Sequence, residues 1–414
     1  MRVRTLLAAA FLGLAGTLVP TTTAAAAPIC ADPAAPLTVE ERRLALPATA
    51  EILRRSGFDR FERVFTPSLC LLPNRRAAAA AISVQGRALW SAAVARAQGK
   101  LPPGTLPVTD DRPLYWARLQ LTKALRQWTP SFALTPADRA ALVDALDRAS
   151  RGQDSIAYPR NTRKVLVTGF DPFQLDQDIR RSNPSGVNAL ALDGTVLQTA
   201  AGPARVETAM FPVLWDPFAA GVVERTVQPW LGRVDLFTTV SQGRVGRFDV
   251  ERYNGRWRGG YPDNDNVSRT GVIPIPAGVP TVLPAPEFVP TTLPYAAIVA
   301  APTGRFPVYD NTSVTEIPAG QTVPVVSPTG PTPGSVARAG GGGDYLSNEI
   351  AYRATLLRDA LGLTTPGGHL HTPVLQFGPG NTTELTDPVF EQNQRDIVDQ
   401  IRAVLTVALA AGKG

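Results

Sequence analysis

The sequence predicts an α/β fold, with an open, mostly parallel sheet flanked by helices and an all-helical N-terminal region in front of it. Three observations predict it. From Lys164 onward, short apolar runs of strand length alternate with longer runs of helical periodicity. Before Arg151 only helical periodicity occurs. The glycine-rich stretch from Gly340 to Leu357 passes a polar corner at Ser347 and Asn348, then becomes a helical run carrying Ile350, Ala351, Ala354, Leu357 and Leu361.

Residues 1–27 have the pattern of a secretory signal. Arg2 and Arg4 precede an apolar run from Leu6 to Val19, and small residues Ala24 to Ala27 suit cleavage. Pro28 disfavours a cut directly before it. The expected mature protein is secreted, and no later segment reads as a membrane span. Cys30 and Cys70 are the only cysteines, so an exported chain predicts a disulfide between them. With 414 residues, 44% of them hydrophobic, the chain is long enough for two domains and a substantial core. Its net charge of +6 is carried mainly by arginine and is dispersed along the chain. That pattern serves solubility and gives no basic block for nucleic acid.

Residues 28–160 are read as the helical N-terminal region. Ala77 to Gln98 and Tyr115 to Trp128 are amphipathic, and Thr135-Pro136-Ala137-Asp138 is a helix start. Gly152 to Arg163 is the expected linker. Residues 161–414 are read as the α/β domain. Lys164 to Phe170 is a buried strand running into a turn at Asp171-Pro172-Phe173; Ser182-Asn183-Pro184-Ser185 follows, and then a helix start over Gly186 to Leu190. Val206 to Pro212 and Val234 to Val240 are further strands, Phe218 to Leu231 is a helix, and Tyr295 to Ala300 is a helix or a short strand. Sites in such sheets lie beyond the strand carboxyl ends, which places Gly169 to Phe173 and Ser241 to Glu251 together. The Pro-, Thr- and Gly-rich segment 305–340 reads as a surface excursion or a lid over the glycine loop.

Ser347 stands where a loop becomes a helix, where unpaired amides and the helix dipole favour negative charge. A nucleophile or an oxyanion would be stabilised there; an ordinary helix cap is the competing reading. His369 and His371, the only histidines, share one face of an extended segment. They suit an acid–base pair, a structural pair or a metal site, the last weakened by the lack of a third strong ligand. No cofactor motif is present, and neither metal nor cofactor is expected.

Four islands, in order, resemble the pyroglutamyl peptidase I family of cysteine peptidases. They are Thr168-Gly169-Phe170-Asp171-Pro172-Phe173 with Asn183-Pro184-Ser185, then Asp249-Val250-Glu251-Arg252, then Gly343-Asp344-Tyr345-Leu346-Ser347-Asn348, and Gly368-His369-Leu370-His371-Thr372-Pro373. Thr292-Leu293-Pro294 matches a shorter landmark. The resemblance spans about residues 163–412 and leaves out the helical region and residues 305–338. It implies Ser347 as nucleophile, His371 as general base and Glu251 as the carboxylate that orients it. It implies Phe170, Phe173 and Leu346 as walls of a lactam slot, although each Phe is equally a plain core residue. Gly342 and Gly343 would lie in the oxyanion loop. The implied substrate is a peptide with a pyroglutamyl-blocked N-terminus, and an oligomer is compatible with the family.

The departure is the nucleophile. The family has cysteine where this chain has Ser347. A thiol, with an ordinary pKa of about 8.5, can rest as thiolate beside a histidine, whereas a serine hydroxyl must lose its proton during attack. Three outcomes follow: a serine-type hydrolase, a pseudoenzyme that binds blocked N-termini without cleaving them, or a scaffold whose N-terminal helices make the functional contact.

Overall fold

In the computed structural model, residues 30–200 and 202–412 are described. The expected signal segment therefore lies outside the described residues. Six helices come first: α1 (Val39–Arg42), α2 (Pro47–Ser56), α3 (Asp59–Leu69), α4 (Arg75–Ala97), α5 (Arg112–Gln127) and α6 (Pro136–Ala149). Local chemistry sets their ends. Thr38 and Thr135 close capping boxes with Glu41 and Asp138, Asn74 caps α4, and Gly57 ends α2 in a left-handed conformation. The Cys30–Cys70 disulfide is formed.

The second part alternates as expected. It runs β1 (Arg163–Phe170), α7 (Pro184–Leu192), β2 (Val196–Thr199), β3 (Gly202–Phe211), α8 (Trp215–Ala219), α9 (Val222–Leu231), β4 (Leu236–Gln242) and β5 (Phe248–Glu251). Short strands β6 (Tyr253–Gly255), β7 (Trp257–Gly259), β8 (Thr270–Val272) and β9 (Phe288–Pro290) lead to α10 (Tyr295–Ala300). Then come β10 (Val308–Asn311), β11 (Val314–Ile317), β12 (Val325–Ser327), β13 (Val336–Ala339), α11 (Leu346–Ala360), β14 (Gly367–Thr372) and α12 (Pro388–Ala411).

Seven strands form the main sheet, in the order β10-β5-β14-β4-β1-β3-β2. Four neighbouring pairs are parallel; β2 against β3 and β5 against β14 are antiparallel. The alternation of strand side chains sorts the core into two faces. Val165 and Val167 pack with Ile397, Ile401 and Leu405 of α12, while Leu166 and Phe237 pack with α9 and α11.

One expectation needs correcting. The single helix over Phe218 to Leu231 is broken, because Gly221 adopts φ 84° between α8 and α9. Segment 305–340, expected as a surface excursion or a lid, is built of strands. Its β10 extends the main sheet beside β5, and β11 to β13 form a small sheet of their own.

The helical region is not a free-standing arm. Its core includes Ala189 and Leu190 of α7 and Met210 of β3. Buried Arg118 and Arg151 both grip Asp171, in the turn after β1. Buried Asp111 accepts from the Ser182 hydroxyl at 2.5 Å and the Asn183 amide at 3.1 Å. The front helices thus hold the two segments that border the cleft described next.

Candidate active site

The strands β1, β4 and β14 end at the same edge of the sheet, and α11 points its N-terminus at that edge. Glu251 ends β5, which runs antiparallel to β14, and its carboxylate reaches the ring of His371. His371 Nδ1 lies 2.7 Å from Glu251 Oε1. Glu251 is fully buried and its other oxygen accepts from Asn311 Nδ2 at 2.7 Å. A carboxylate held by two donors cannot rotate freely, so the imidazole is held too. With Nδ1 committed, Nε2 is the nitrogen left for proton transfer. Asn311 was not foreseen. It belongs to the segment read as an excursion, and a lone Asn among Pro and Thr residues gives no signal.

His369 is a separate group. It is buried, its Nδ1 lies 2.7 Å from Thr239 Oγ1, and its Nε2 has no partner among the described residues. Burial, with His371 beside it, holds its pKa well below the ordinary value, so it is neutral. The two rings meet edge to face at 4.6 Å. Among the described residues, no group of three or more His, Cys, Asp or Glu could hold a metal ion.

The glycine loop makes room for the Glu251–His371 pair. A Cβ on Gly341 would sit 2.2 Å from Glu251 Oε2, and one on Gly342 would sit 2.9 Å from His371 Cε1. From the opposite side, a Cβ on Gly243 would sit 2.5 Å from His371 Cβ. Only glycine fits these approaches. The amides are not equivalent. Gly343 donates to Gly340 O at 3.0 Å and Gly341 to Tyr253 O at 2.8 Å, while the Gly342 amide has no partner among the described residues. The oxyanion expectation therefore narrows to Gly342 and the first turn of α11; the Gly343 amide is committed elsewhere.

Ser347 is the second residue of α11, half-buried, in the turn whose first amides lack intrahelical acceptors. Its hydroxyl donates to Gly342 O at 3.1 Å, not to His371. Both Ser347 and His371 line one open cleft of about 330 Å³, with Phe173, Tyr261, Asp344 and Tyr345. A narrower slot behind it is lined by Phe170, Phe173, Leu346, Ser347, Asn183 and Ser241. Phe170 stacks on Phe218 at 6.0 Å, and Phe173 on Tyr345 at 6.0 Å. The buried Ser241 hydroxyl, in that slot, has no partner among the described residues. Asn348 bonds the backbone of Gly255 through both side-chain atoms and ties the helix start to β6.

The turn carrying Phe173 is anchored from the front. Asn264 donates to Pro172 O at 2.9 Å and to Glu40 Oε1 at 3.0 Å, and the Tyr115 hydroxyl donates to the same Glu40 oxygen at 2.8 Å.

Comparison with known proteins gives two kinds of match. Models described as the PA0049 N-terminal domain and the PA0049 C-terminal domain match residues 22–147 and residues 164–301 with 300–376. The chain is 35% identical to the uncharacterized protein PA0049 of Pseudomonas aeruginosa, over 87% of this chain and 84% of that protein. Among solved structures, a mutant pyrrolidone carboxyl peptidase from Pyrococcus furiosus aligns at TM-score 0.40 and 22% identity, covering 60% of this chain and 99% of its own. The pyrrolidone carboxyl peptidase of Thermococcus litoralis aligns at TM-score 0.40 and 20% identity, covering 60% and 94%.

Proposed function

The chain belongs to the PA0049 family, and we propose that this member is a secreted serine-type hydrolase that removes an N-terminal pyroglutamyl residue from peptides. The observation that carries the reading is the buried Glu251 carboxylate 2.7 Å from His371 Nδ1, with Ser347 on the same cleft. The motif resemblance of the four islands supports it. So does a slot with aromatic and aliphatic walls and the Ser241 hydroxyl, unpartnered among the described residues, which suits a flat, uncharged lactam with one N–H and one C=O.

The chemistry is acyl transfer. The Ser347 hydroxyl rotates off Gly342 O and attacks the pyroglutamyl acyl carbon, and its proton passes to His371 Nε2. Glu251 stabilises the imidazolium. The oxyanion meets the amide of Gly342 and the first amides of α11. His371 then protonates the leaving amine as the C–N bond breaks, leaving a pyroglutamyl ester on Ser347. Water, deprotonated by His371, hydrolyses the ester to release pyroglutamate and restore the serine.

One observation favours the second reading, a pseudoenzyme that binds blocked N-termini. The Ser347 hydroxyl is hydrogen-bonded to a carbonyl rather than to the base. A fluorogenic pyroglutamyl substrate separates the two. Turnover that Ser347→Ala abolishes supports the hydrolase; binding without turnover by the unaltered protein supports the pseudoenzyme. Export is tested by sequencing the N-terminus of the protein recovered outside the cell, which should begin shortly after residues 24–27.

A further inference from the structure

Asp344 lies three residues before Ser347, on the wall of the same cleft. It is half-buried, and among the described residues neither a cation nor another residue's hydrogen-bond donor meets its carboxylate. Its carboxylate rests against β7, where a Cβ on Gly259 would sit 1.9 Å from Oδ2. The neighbouring arginine of β7 is already committed: Arg258 makes two 2.6 Å bonds to Glu349. The other cleft carboxylate, Asp249, is neutralised by Arg244 and Arg247, each at 3.0 Å. Three aromatic rings share the cleft with Asp344. Tyr345 stands 6.0 Å from Phe173 and 5.4 Å from Tyr261, centroid to centroid.

A partly desolvated carboxylate without a partner is costly, and aromatic faces attract cations. We propose that Asp344, with Tyr261 and Tyr345, is a specificity site for a cationic group of the peptide, a lysine or arginine side chain following the blocked residue. Burial pushes the Asp344 carboxyl above its usual range, which is the cost a bound cation would remove. The substrate class is then a pyroglutamyl peptide with a basic second residue. This deepens the hydrolase reading and uses the same cleft.

The test uses three peptides with amidated C-termini, pyroglutamyl-Lys, pyroglutamyl-Ala and pyroglutamyl-Glu. Binding to the full chain carrying Ser347→Ala is measured by calorimetry, so that turnover plays no part. The Lys peptide should bind roughly tenfold tighter than the Glu peptide, with a preference that weakens as salt is added. Asp344→Asn or Asp344→Ser should bring the ratio near one, and Asp344→Lys should reverse it. Equal binding, a ratio that survives Asp344→Asn, or no binding of any peptide overturns the proposal. So does a preference for the Glu peptide, which would assign the recognition to the adjoining groove with Arg180, Arg181 and Arg244. Discrimination in binding without turnover by the unaltered chain would refute the hydrolase reading and leave this one standing.

Discussion

Replacing Gly341 by Ala tests the packing on which the acid–base pair depends. The added methyl would stand 2.2 Å from Glu251 Oε2, about 1.2 Å short of the 3.4 Å at which ordinary contact begins. Glu251 cannot yield cheaply. It is fully buried, with His371 Nδ1 and Asn311 Nδ2 both 2.7 Å from its oxygens. Relief therefore displaces the loop or the carboxylate by roughly 1 Å, enough to stretch a 2.7 Å hydrogen bond past the range at which it counts as one. Overpacking of this kind costs about 1–3 kcal/mol and lowers the melting temperature by roughly 2–6 °C. If His371 is the base, a displacement of about 1 Å there should lower turnover of a pyroglutamyl substrate by roughly a hundredfold. Gly343→Ala is the control. Its φ of 87° strains any L-residue, about 1 kcal/mol, yet nothing lies within 4 Å of the added methyl. It should lose stability and keep most turnover. Calorimetric melting and a fluorogenic assay on both variants decide it. If Gly341→Ala melts and turns over like the unaltered protein, or the two variants lose turnover equally, the reasoning is wrong.

Asn311→Ala leaves Glu251 Oε2 without its donor and should lower kcat/KM by roughly tenfold or more with little change in KM, since hydrogen bonds to charged groups are worth about 1.5–3 kcal/mol. Burial, with Asp265 beside Glu40 and Asp110 beside Asp111, pushes both carboxyls up to about 8. These groups keep protons in the fold that the unfolded chain releases at about pH 4, so their stabilisation is complete below about pH 4 and is lost as pH rises to about 8. The melting temperature should fall between pH 5 and pH 9, and Glu40→Gln should flatten that slope; an unchanged slope contradicts it. Reducing the Cys30–Cys70 disulfide, with a sequence separation of 40, should cost up to about 4 kcal/mol by the chain-entropy argument, seen as a lower melting temperature in reductant.

Much of the fold was legible because its signals are local. The unbroken apolar run of β1, the Thr-Pro start of α6 and the Asn-Pro start of α7 each announce an element without tertiary help. Ser347 at its glycine-rich corner and the His369–His371 pair stood out locally, but only the resemblance joined Ser347 and His371 to Glu251, which has no distinctive local pattern. Three features lay beyond such reading because they exist only across elements. Asn311 steadies Glu251 from a segment whose composition suggested a loop. Asp111, Arg118 and Arg151 show what the helical front does for the cleft, yet each is an unremarkable charge in a helix or at its end. The glycine loop reads as an anion cradle in sequence, whereas its close approaches are to the Glu251 carboxylate and the His371 ring. The orientation of the Ser347 hydroxyl is likewise set by a carbonyl five residues back.

The covalent intermediate is the most direct test. The protein is mixed with a pyroglutamyl substrate, quenched in acid within the first turnovers, digested and examined by mass spectrometry. A pyroglutamyl ester on the peptide containing Ser347, absent from Ser347→Ala, is the predicted result. Product release that proceeds equally in Ser347→Ala, or an unmodified Ser347 with no product formed, would contradict the account.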